Sequence, residues 1–278
     1  MPEGPEVETV RRSLLDVVVG RRIGRVRMSG LKLRTAVSPR DFKKLEGLSI
    51  TDVGRRGKLL WLRAEDDAGI FVRLGMTGRL VVDKVQARPA PHTHVRIPLA
   101  PGQEELRYVD ARRFGDVAPF TSRAAFDEVM AQLGPDALAL STEELAATMK
   151  RLRNTSRSLK DALLDQRLLA GVGNIYAAEA LFVARLSPFS RGLDLSAREA
   201  RALLAAVGKV LRTGVENRGT SFSDYVDGRG ERGRNQDHLF VFQRQGEPCR
   251  VCGSPIERSV QGQRSTFHCP RCQKPARG

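Results

Sequence analysis

Four cysteines near the end of the chain form two Cys-x-x-Cys pairs, Cys249 with Cys252 and Cys269 with Cys272, separated by sixteen residues. This spacing is typical of a zinc site with four thiolate ligands. So short a segment buries too little apolar surface to fold alone, whereas zinc binding supplies about 10–16 kcal/mol of folding free energy. The sequence therefore predicts one structural zinc ion. The alternative is two disulfides, which such close spacing disfavours.

The first residues suggest nucleophilic chemistry. Removal of the initiator methionine would make Pro2 the amino terminus. A terminal proline is a secondary amine with a pKa of about 7.7–8.0, so it can attack an electrophilic carbon at neutral pH and form an iminium. Glu3 and Glu6 are possible proton donors or electrostatic partners. On these residues alone, the run is more typical of a simple lead-in to the first helix.

A glycine-rich turn between two apolar segments suggests a phosphate site. Gly171 fits a left-handed helix end, and Asn174 fits the N-cap of a following helix. The backbone N–H groups of such a helix start can bind phosphate. A purely structural helix hairpin fits the turn about as well. The basic residues just upstream, Arg153, Arg157 and Lys160, favour DNA phosphate as the ligand.

The charge of the chain narrows the choice of partner. Its 47 Lys and Arg against 32 Asp and Glu give a net charge of +15, which indicates a polyanionic partner. Aromatic residues make up only 5%, which disfavours a stacking surface for single strands. Neither a run of 18 apolar residues nor a signal peptide is evident, so we expect a cytoplasmic protein without membrane contact.

The pattern along the chain predicts an α+β multidomain fold. Apolar residues spaced three and four apart after Pro5 predict an amphipathic helix, and short alternating segments between 22 and 120 predict a β-sandwich or flattened barrel. Helices follow, two of them starting at the capping boxes of Ser141 and Ser196. The predicted strands are Arg22–Met28, Ser49–Val53, Lys58–Leu62, Ile70–Leu74, Arg79–Val82, His94–Leu99, Leu106–Val109 and Asp116–Phe120.

We predict three domains. Residues 1–133 form a β-sandwich domain, 134–238 a helical domain with a helix, two turns and a helix, and 239–278 the four-cysteine finger. The glycine-rich, charged segment at about 218–235 lacks periodicity, which is typical of a lid. We expect it to be mobile in the absence of DNA.

Six motifs in order resemble the bacterial formamidopyrimidine-DNA glycosylases, which remove 8-oxoguanine and ring-opened purines from DNA. The resemblance extends over essentially the whole chain. The motifs are Pro2–Val10, Arg55–Lys58, Leu74–Gly78, Asp110–Gly115, Gly171–Ala177 and the cysteine finger with Gln263–Phe267.

The resemblance implies roles for five residues in catalysis. Pro2 is the implied nucleophile and Schiff-base former, Glu3 the acid that assists ring opening, and Glu6 a support for both. Lys58 is implied to contact phosphate and assist β-elimination. Arg264, on the finger, is implied to serve δ-elimination.

It also implies contacts to double-stranded, damaged DNA. Met76, Arg112 and Phe114 would fill the space left by the everted nucleotide, with Arg112 facing the orphaned cytosine. Asn174 would hold a phosphate. From the residues alone, Met76 and Phe114 fit ordinary core positions as well. Further contacts are expected from His92, Arg153, Arg157, Lys160 and, on the flap over the everted base, Tyr225; Arg229, Arg232 and Arg234 are rival phosphate contacts there.

The expected function is therefore a bifunctional glycosylase and abasic-site lyase that acts on oxidised purines, as a monomer associated with the nucleoid. One alternative is the related endonuclease VIII type, which prefers oxidised pyrimidines and shares Pro2, Glu3, the helix hairpin and the finger. The other is a zinc-ribbon protein that binds DNA or RNA and catalyses nothing.

Overall fold

The computed structural model describes residues 2–222 and 225–276. Met1, whose removal the sequence predicts, lies outside these ranges. The chain divides into two compact units, each with a hydrophobic core of its own. The first unit comprises Met1–Gln132 and Asn217–Gln236, and the second comprises Leu133–Glu216 and Asp237–Gly278.

The first unit opens with helix α1 (Gly4–Val18). Pro5 lies in its first turn, where a missing N–H leaves no hydrogen bond unmade. Glu3 takes the N-cap position and forms a capping box with Glu6. Val10 and Leu14 are fully buried, so the predicted amphipathic helix is confirmed.

Nine antiparallel strands form two sheets. In chain order they are β1 (Arg22–Ile23), β2 (Arg27–Met28), β3 (Ile50–Arg56), β4 (Leu59–Ala64), β5 (Gly69–Arg73), β6 (Arg79–Lys84), β7 (Thr93–Ala100), β8 (Glu104–Val109) and β9 (Asp116–Phe120). One sheet has the order β1-β7-β8-β6 with β2 also on β7, and the other has the order β3-β4-β5-β9. Leu62 and Ile70 of one sheet share a core with Val95 and Leu106 of the other, which confirms the predicted sandwich.

Two of the differences between the predicted and observed strands have a physical reason in the structure. The first predicted strand, expected over 22–28, is broken into β1 and β2. The break falls at Gly24, where a side chain would collide with Pro98 at 2.9 Å. Lys58, expected to begin a strand, lies instead in the two-residue turn between β3 and β4. Gly57 supplies the positive φ, +61°, that this turn requires.

Helix α2 (Arg123–Ala131) ends the first stretch of this unit. Its only buried residue, Phe126, packs edge-on against Trp61, with ring centroids 5.2 Å apart. The same ring stacks on Phe71 at 5.6 Å. These contacts fix the helix on the outer face of β4 and β5.

The second unit contains four helices and a hairpin. The helices are α3 (Thr142–Arg153), α4 (Leu159–Leu164), α5 (Asn174–Val183) and α6 (Ala197–Glu216). Both predicted capping boxes are present, since Glu144 N–H donates to Ser141 Oγ and Glu199 N–H donates to Ser196 Oγ. Helix α4 ends at Leu164, earlier than predicted, and turns lead from there to α5. None of the helices within the described ranges is long and apolar enough to cross a membrane.

The finger contains one hairpin, formed by β10 (Glu257–Gln261) and β11 (Arg264–His268). The connecting residues Gly262 and Gln263 both have positive φ, at +53° and +62°, as a tight two-residue hairpin turn requires. One cysteine pair precedes the hairpin and the other follows it.

The segment 217–236 groups with the first unit. Its ends are joined by backbone hydrogen bonds, from Arg234 N–H to Asn217 O at 2.8 Å and from Asn235 N–H to Gly219 O at 3.0 Å. Tyr225 belongs to the core of the first unit. The domain limits and the mobility of this segment given above remain predictions.

Candidate functional site

The amino-terminal turn is buried and held by Glu6. Pro2 is buried, and Glu3 and Glu6 are each 1% exposed. Glu6 uses both carboxylate oxygens: Oε2 accepts from Glu3 N–H at 2.8 Å, and Oε1 accepts from Thr220 N–H at 2.7 Å. The first unit therefore brings together Pro2, Glu3 and Glu6, as the sequence predicts, and fixes the backbone of Glu3.

Tyr225 joins this cluster in an unpredicted way. Its side chain is buried, and its hydroxyl lies 3.2 Å from the carbonyl oxygens of Glu6 and Arg218. Burial and then the nearby Glu6 carboxylate raise the pKa of Tyr225. In this structure the ring lies in the core and anchors the 217–236 segment to α1, and the DNA contact of Tyr225 stays a prediction.

Lys58 lies at the tip of the β3–β4 turn, and Glu8 secures that turn. Arg55 Nε donates to Glu8 Oε2 at 3.0 Å, and its Nη1 donates to Gly57 O at 2.9 Å. Arg11 and Arg12 also donate to Glu8. Burial acts to raise the pKa of Glu8, but the hydrogen bonds from the three arginines outweigh it and lower the pKa to about 2. Sequence reasoning missed Glu8, whose only local signal is its spacing of three and four from two arginines.

Met76 and Phe114, which are expected to fill the space left by the everted nucleotide, have exposed side chains. Met76 is 40% exposed and Phe114 50%, which excludes the alternative that they are core residues. The guanidinium carbon of Arg112 lies 4.5 Å from the centroid of the Phe114 ring, a cation–π contact that pairs the two side chains. His92 is also exposed, in a left-handed conformation with φ of +64°. Their DNA contacts remain predictions.

In the second unit, Asn174 begins α5 but is not its N-cap. The cap is Gly173, in extended conformation. Asn174 is already helical because its side chain is engaged elsewhere: Nδ2 donates to Ser265 O at 3.0 Å. Gly171 has the predicted positive φ, +108°. The start of α5 therefore faces the finger hairpin.

Lys160 is fully buried, and the DNA contact expected of it stays a prediction. Its ammonium donates to Ser265 O at 2.9 Å and to Thr266 Oγ1 at 2.6 Å. Burial lowers its pKa to about 8. Lys160 and Asn174 thus converge on one carbonyl of β11, next to Arg264. Arg264 itself is exposed, at the first position of the strand.

Arg153 and Arg157 are exposed, as a phosphate contact requires. Each is oriented by one acceptor within the second unit. Arg153 Nε donates to Leu195 O at 3.0 Å, and Arg157 Nη1 donates to Asp165 Oδ2 at 3.0 Å. Their contact with DNA stays a prediction.

The cysteine geometry fits zinc. None of the four cysteines is in a disulfide, and their sulfur atoms all lie within 4.8 Å of one another. Cys249 and Cys272 are 3.9 Å apart, and Cys252 and Cys269 3.4 Å apart, close to the separation of about 3.8 Å expected for a tetrahedron with Zn–S bonds of about 2.3 Å. Four thiolates fill the coordination sphere and leave no position for water. The finger therefore holds a structural zinc ion.

Three protein-family models match most of the chain. Residues 1–117 match the formamidopyrimidine-DNA glycosylase N-terminal domain, and residues 133–226 match the formamidopyrimidine-DNA glycosylase H2TH domain. Residues 246–275 match a zinc finger found in FPG and IleRS.

Individual relatives agree. The formamidopyrimidine-DNA glycosylase of Heliobacterium modesticaldum is 42% identical over 99% of this chain and 100% of its own. The crystal structure of MutM (FPG) from Thermus thermophilus is 38% identical, with a TM-score of 0.85 and 98% of each chain covered. A Lactococcus lactis FPG mutant in complex with a Fapy-dG containing DNA is 29% identical, with a TM-score of 0.89, and 98% of this chain and 100% of that one are covered. The chain thus belongs to the formamidopyrimidine-DNA glycosylase family of DNA repair enzymes.

Proposed function

We propose that the chain excises oxidised purines, 8-oxoguanine and formamidopyrimidines, from double-stranded DNA and then cleaves the strand at the abasic site. The buried amino-terminal turn carries the proposal. In this turn Glu3 directly follows Pro2, which becomes a secondary amine once Met1 is removed, and Glu6 accepts a hydrogen bond from the Glu3 N–H. The complex of the Lactococcus lactis relative with Fapy-dG containing DNA supports the substrate class.

The first stage replaces the base by the enzyme. The lone pair of the Pro2 nitrogen attacks C1′ of the everted nucleoside, and the bonding electrons of the glycosidic bond leave with the base, which takes up a proton. Glu3 protonates the sugar ring oxygen as the ring opens. The product is an iminium between Pro2 and C1′, which is the Schiff base.

The second stage is elimination. The iminium acidifies the hydrogen at C2′, so that its loss expels the 3′ phosphate, and a further proton loss expels the 5′ phosphate. Water then hydrolyses the imine and restores Pro2. Lys58 and Arg264 stabilise the negative charge on the departing phosphate oxygens.

DNA binding prepares the base for this chemistry. Eversion costs a few kcal/mol of unstacking and unpairing, and the vacated space must be filled. The exposed Met76 and Phe114 side chains fill it, and Arg112 donates to the orphaned cytosine. His92 adds a further contact in the first unit, while Asn174, Arg153 and Arg157 bind phosphates. One chain supplies all of these groups, so the proposed working form is a monomer. Measuring the size of the DNA complex in solution tests this oligomeric state. The proposed location is the cytoplasm, at the nucleoid.

Borohydride trapping on an abasic duplex tests the covalent step. The protein with a free Pro2 terminus should give a covalent adduct, and peptide mapping should place the sugar on Pro2. The matched control is the same protein with Met1 retained, which displaces the amine by one residue and should give no adduct. Absence of an adduct from the processed protein, or an undiminished adduct from the control, would refute the role of Pro2.

A panel of damaged duplexes tests the substrate class. Oxidised purines opposite cytosine should be excised faster than oxidised pyrimidines; the reverse order would identify the endonuclease VIII type. Glu3→Gln should lose base excision and retain trapping on a preformed abasic site. A protein that binds every duplex and excises no base would be the non-enzymatic zinc-ribbon alternative.

A further inference from the structure

Asp110 is a fully buried acid that directly follows strand β8. Its Oδ1 accepts from Thr77 Oγ1 at 2.5 Å and from Arg112 N–H at 3.2 Å. Its Oδ2 accepts from Gly115 N–H at 2.9 Å and from Tyr108 OH at 3.0 Å. These four donors come from two separate loops, 74–78 and 110–115, and from β8.

The backbone of Asp110 extends the same network. Its N–H donates to His92 O at 3.0 Å, and its carbonyl lies 3.0 Å from Nε2 of the buried His94. Four residues of the first unit are proposed to contact DNA next to the everted nucleotide: Met76, His92, Arg112 and Phe114. Each of them is hydrogen-bonded to Asp110 or is the sequence neighbour of a residue that is. Arg112 and His92 are bonded through their backbones, Met76 precedes Thr77, and Phe114 precedes Gly115.

The two loops also touch each other through their backbones. Gly75 has a φ of +66°, and a Cβ there would lie 2.5 Å from Gly115 N. A Cβ on Gly115 would overlap Tyr108 OH. Only glycine permits this approach, and the approach is what allows one carboxylate to reach both loops.

The four hydrogen-bond donors on the Asp110 carboxylate are neutral groups. A carboxylate accepts at both oxygens, whereas an amide of the same shape accepts at one and donates at the other. The amide nitrogen of Asp110→Asn would therefore face two of these four donors. On one side, the Arg112 N–H would keep only its bond to Thr77 Oγ1 at 3.2 Å; on the other, the buried Gly115 N–H would lose its acceptor. The loops 74–78 and 110–115 therefore need a carboxylate at position 110, and a side chain of the same size that is not a carboxylate does not replace it.

We propose that Asp110 is a positioning residue for base eversion: its carboxylate locks the two loops so that Met76, Arg112 and Phe114 are preorganised to occupy the space left by the damaged nucleotide. The inference rests on the proposed function. Asp110 touches none of the reacting atoms, so it acts on eversion and leaves Schiff-base chemistry intact. Misplacing such groups by about 1 Å can cost about a hundredfold in rate.

The experiment compares two substrates in one protein. Asp110→Asn should excise 8-oxoguanine paired with cytosine about tenfold to a hundredfold more slowly under single-turnover conditions, yet cleave a preformed abasic duplex and give the borohydride adduct like the parent. The deficit should shrink when the lesion is already unpaired, because eversion then costs less. A merely structural defect would lower all of these rates together.

Matched variants separate positioning from folding. Glu105→Gln removes the fully buried carboxylate of a β8 residue that is bonded to neither loop. It should leave unchanged the ratio of the rate of 8-oxoguanine excision to the rate of abasic-site cleavage. Thr77→Val removes one hydrogen-bond donor to Asp110 and should reproduce part of the loss in the rate of 8-oxoguanine excision. Thr77→Ser keeps the hydroxyl and should excise at the parent rate. Equal excision of the paired lesion by Asp110→Asn and the parent would overturn the proposal. If the parent itself neither excised nor trapped, the proposed function would fail instead.

Discussion

Replacing Glu8 by Gln should weaken the first unit and loosen the turn that carries Lys58. Glu8 accepts hydrogen bonds from Arg11 at 2.8 and 2.9 Å, from Arg12 at 2.8 Å and from Arg55 at 3.0 Å. The Arg55 side chain is only 6% exposed. Without the carboxylate, its buried charge loses this counter-charge, which is costly.

The magnitude follows from the pKa of Glu8. A fall from 4.5 to about 2 corresponds to roughly 3 kcal/mol of stability. Because the folded protein holds the proton less tightly than the unfolded chain does, this contribution is complete above about pH 4.5 and is lost as the pH falls towards 2. The free energy of unfolding of Glu8→Gln at pH 7 should therefore be up to roughly 3 kcal/mol lower than that of the parent. As the pH falls towards 2, the two free energies of unfolding should become equal.

Urea unfolding followed by tryptophan fluorescence measures this directly, since Trp61, in β4 of the first unit, is the only tryptophan of the sequence. Glu46→Gln is the control, because it removes the same charge from an exposed side chain of the same unit. Equal midpoints at pH 7 for the parent and Glu8→Gln, or a difference that does not shrink in acid, would refute the reasoning.

Further predictions concern the second unit and the anchored segment. Zinc chelation should melt the finger and abolish DNA binding while the Trp61 unfolding transition persists; a fully active apo-protein would contradict the structural role of the ion. Arg264→Ala should retain zinc and the Schiff base but slow δ-elimination, which gel analysis of the cleaved ends measures. Burial lowers the Lys160 pKa from 10.5 to about 8, so the parent should gain up to roughly 3 kcal/mol of stability as the pH rises between these values, and urea unfolding of Lys160→Met should lack that gain. Tyr225→Phe should cost about 1 kcal/mol in urea unfolding through the lost hydroxyl contacts at Glu6, and an unchanged midpoint would show that they contribute nothing.

Local signals were sufficient for the main elements. The capping boxes at Ser141 and Ser196 satisfy helix-start N–H groups within four residues, so their outcome depends on little else. The alternation of β4 and β7 is likewise a local consequence of burying one face. The break between β1 and β2 was missed because it depends on the approach of Pro98, a partner 74 positions away from Gly24.

The roles predicted for the site residues stay predictions, while their exposure and contacts can be compared with the structure. The exposure of Met76 and Phe114 matches their expected function, and Glu6 supports the amino-terminal turn as expected. Lys160 and Tyr225 were expected to face DNA because a lysine or a tyrosine in a basic, polar context is usually exposed. The partners Thr266 of Lys160 and Glu6 of Tyr225 lie over a hundred positions away, which no pattern along the chain reveals.

By itself, the sequence determined the zinc site, the order of helices and strands and the family, because each depends on residue types at short, fixed spacing. Only the tertiary structure decided which charged and polar side chains are buried. In the sequence, nothing distinguishes the acids Glu8 and Asp110 from other acids, or Lys160 from other lysines. They become structural anchors because Arg55, Thr77 and Thr266, which are distant in sequence, add to their hydrogen-bonding partners and help to offset the cost of removing them from water.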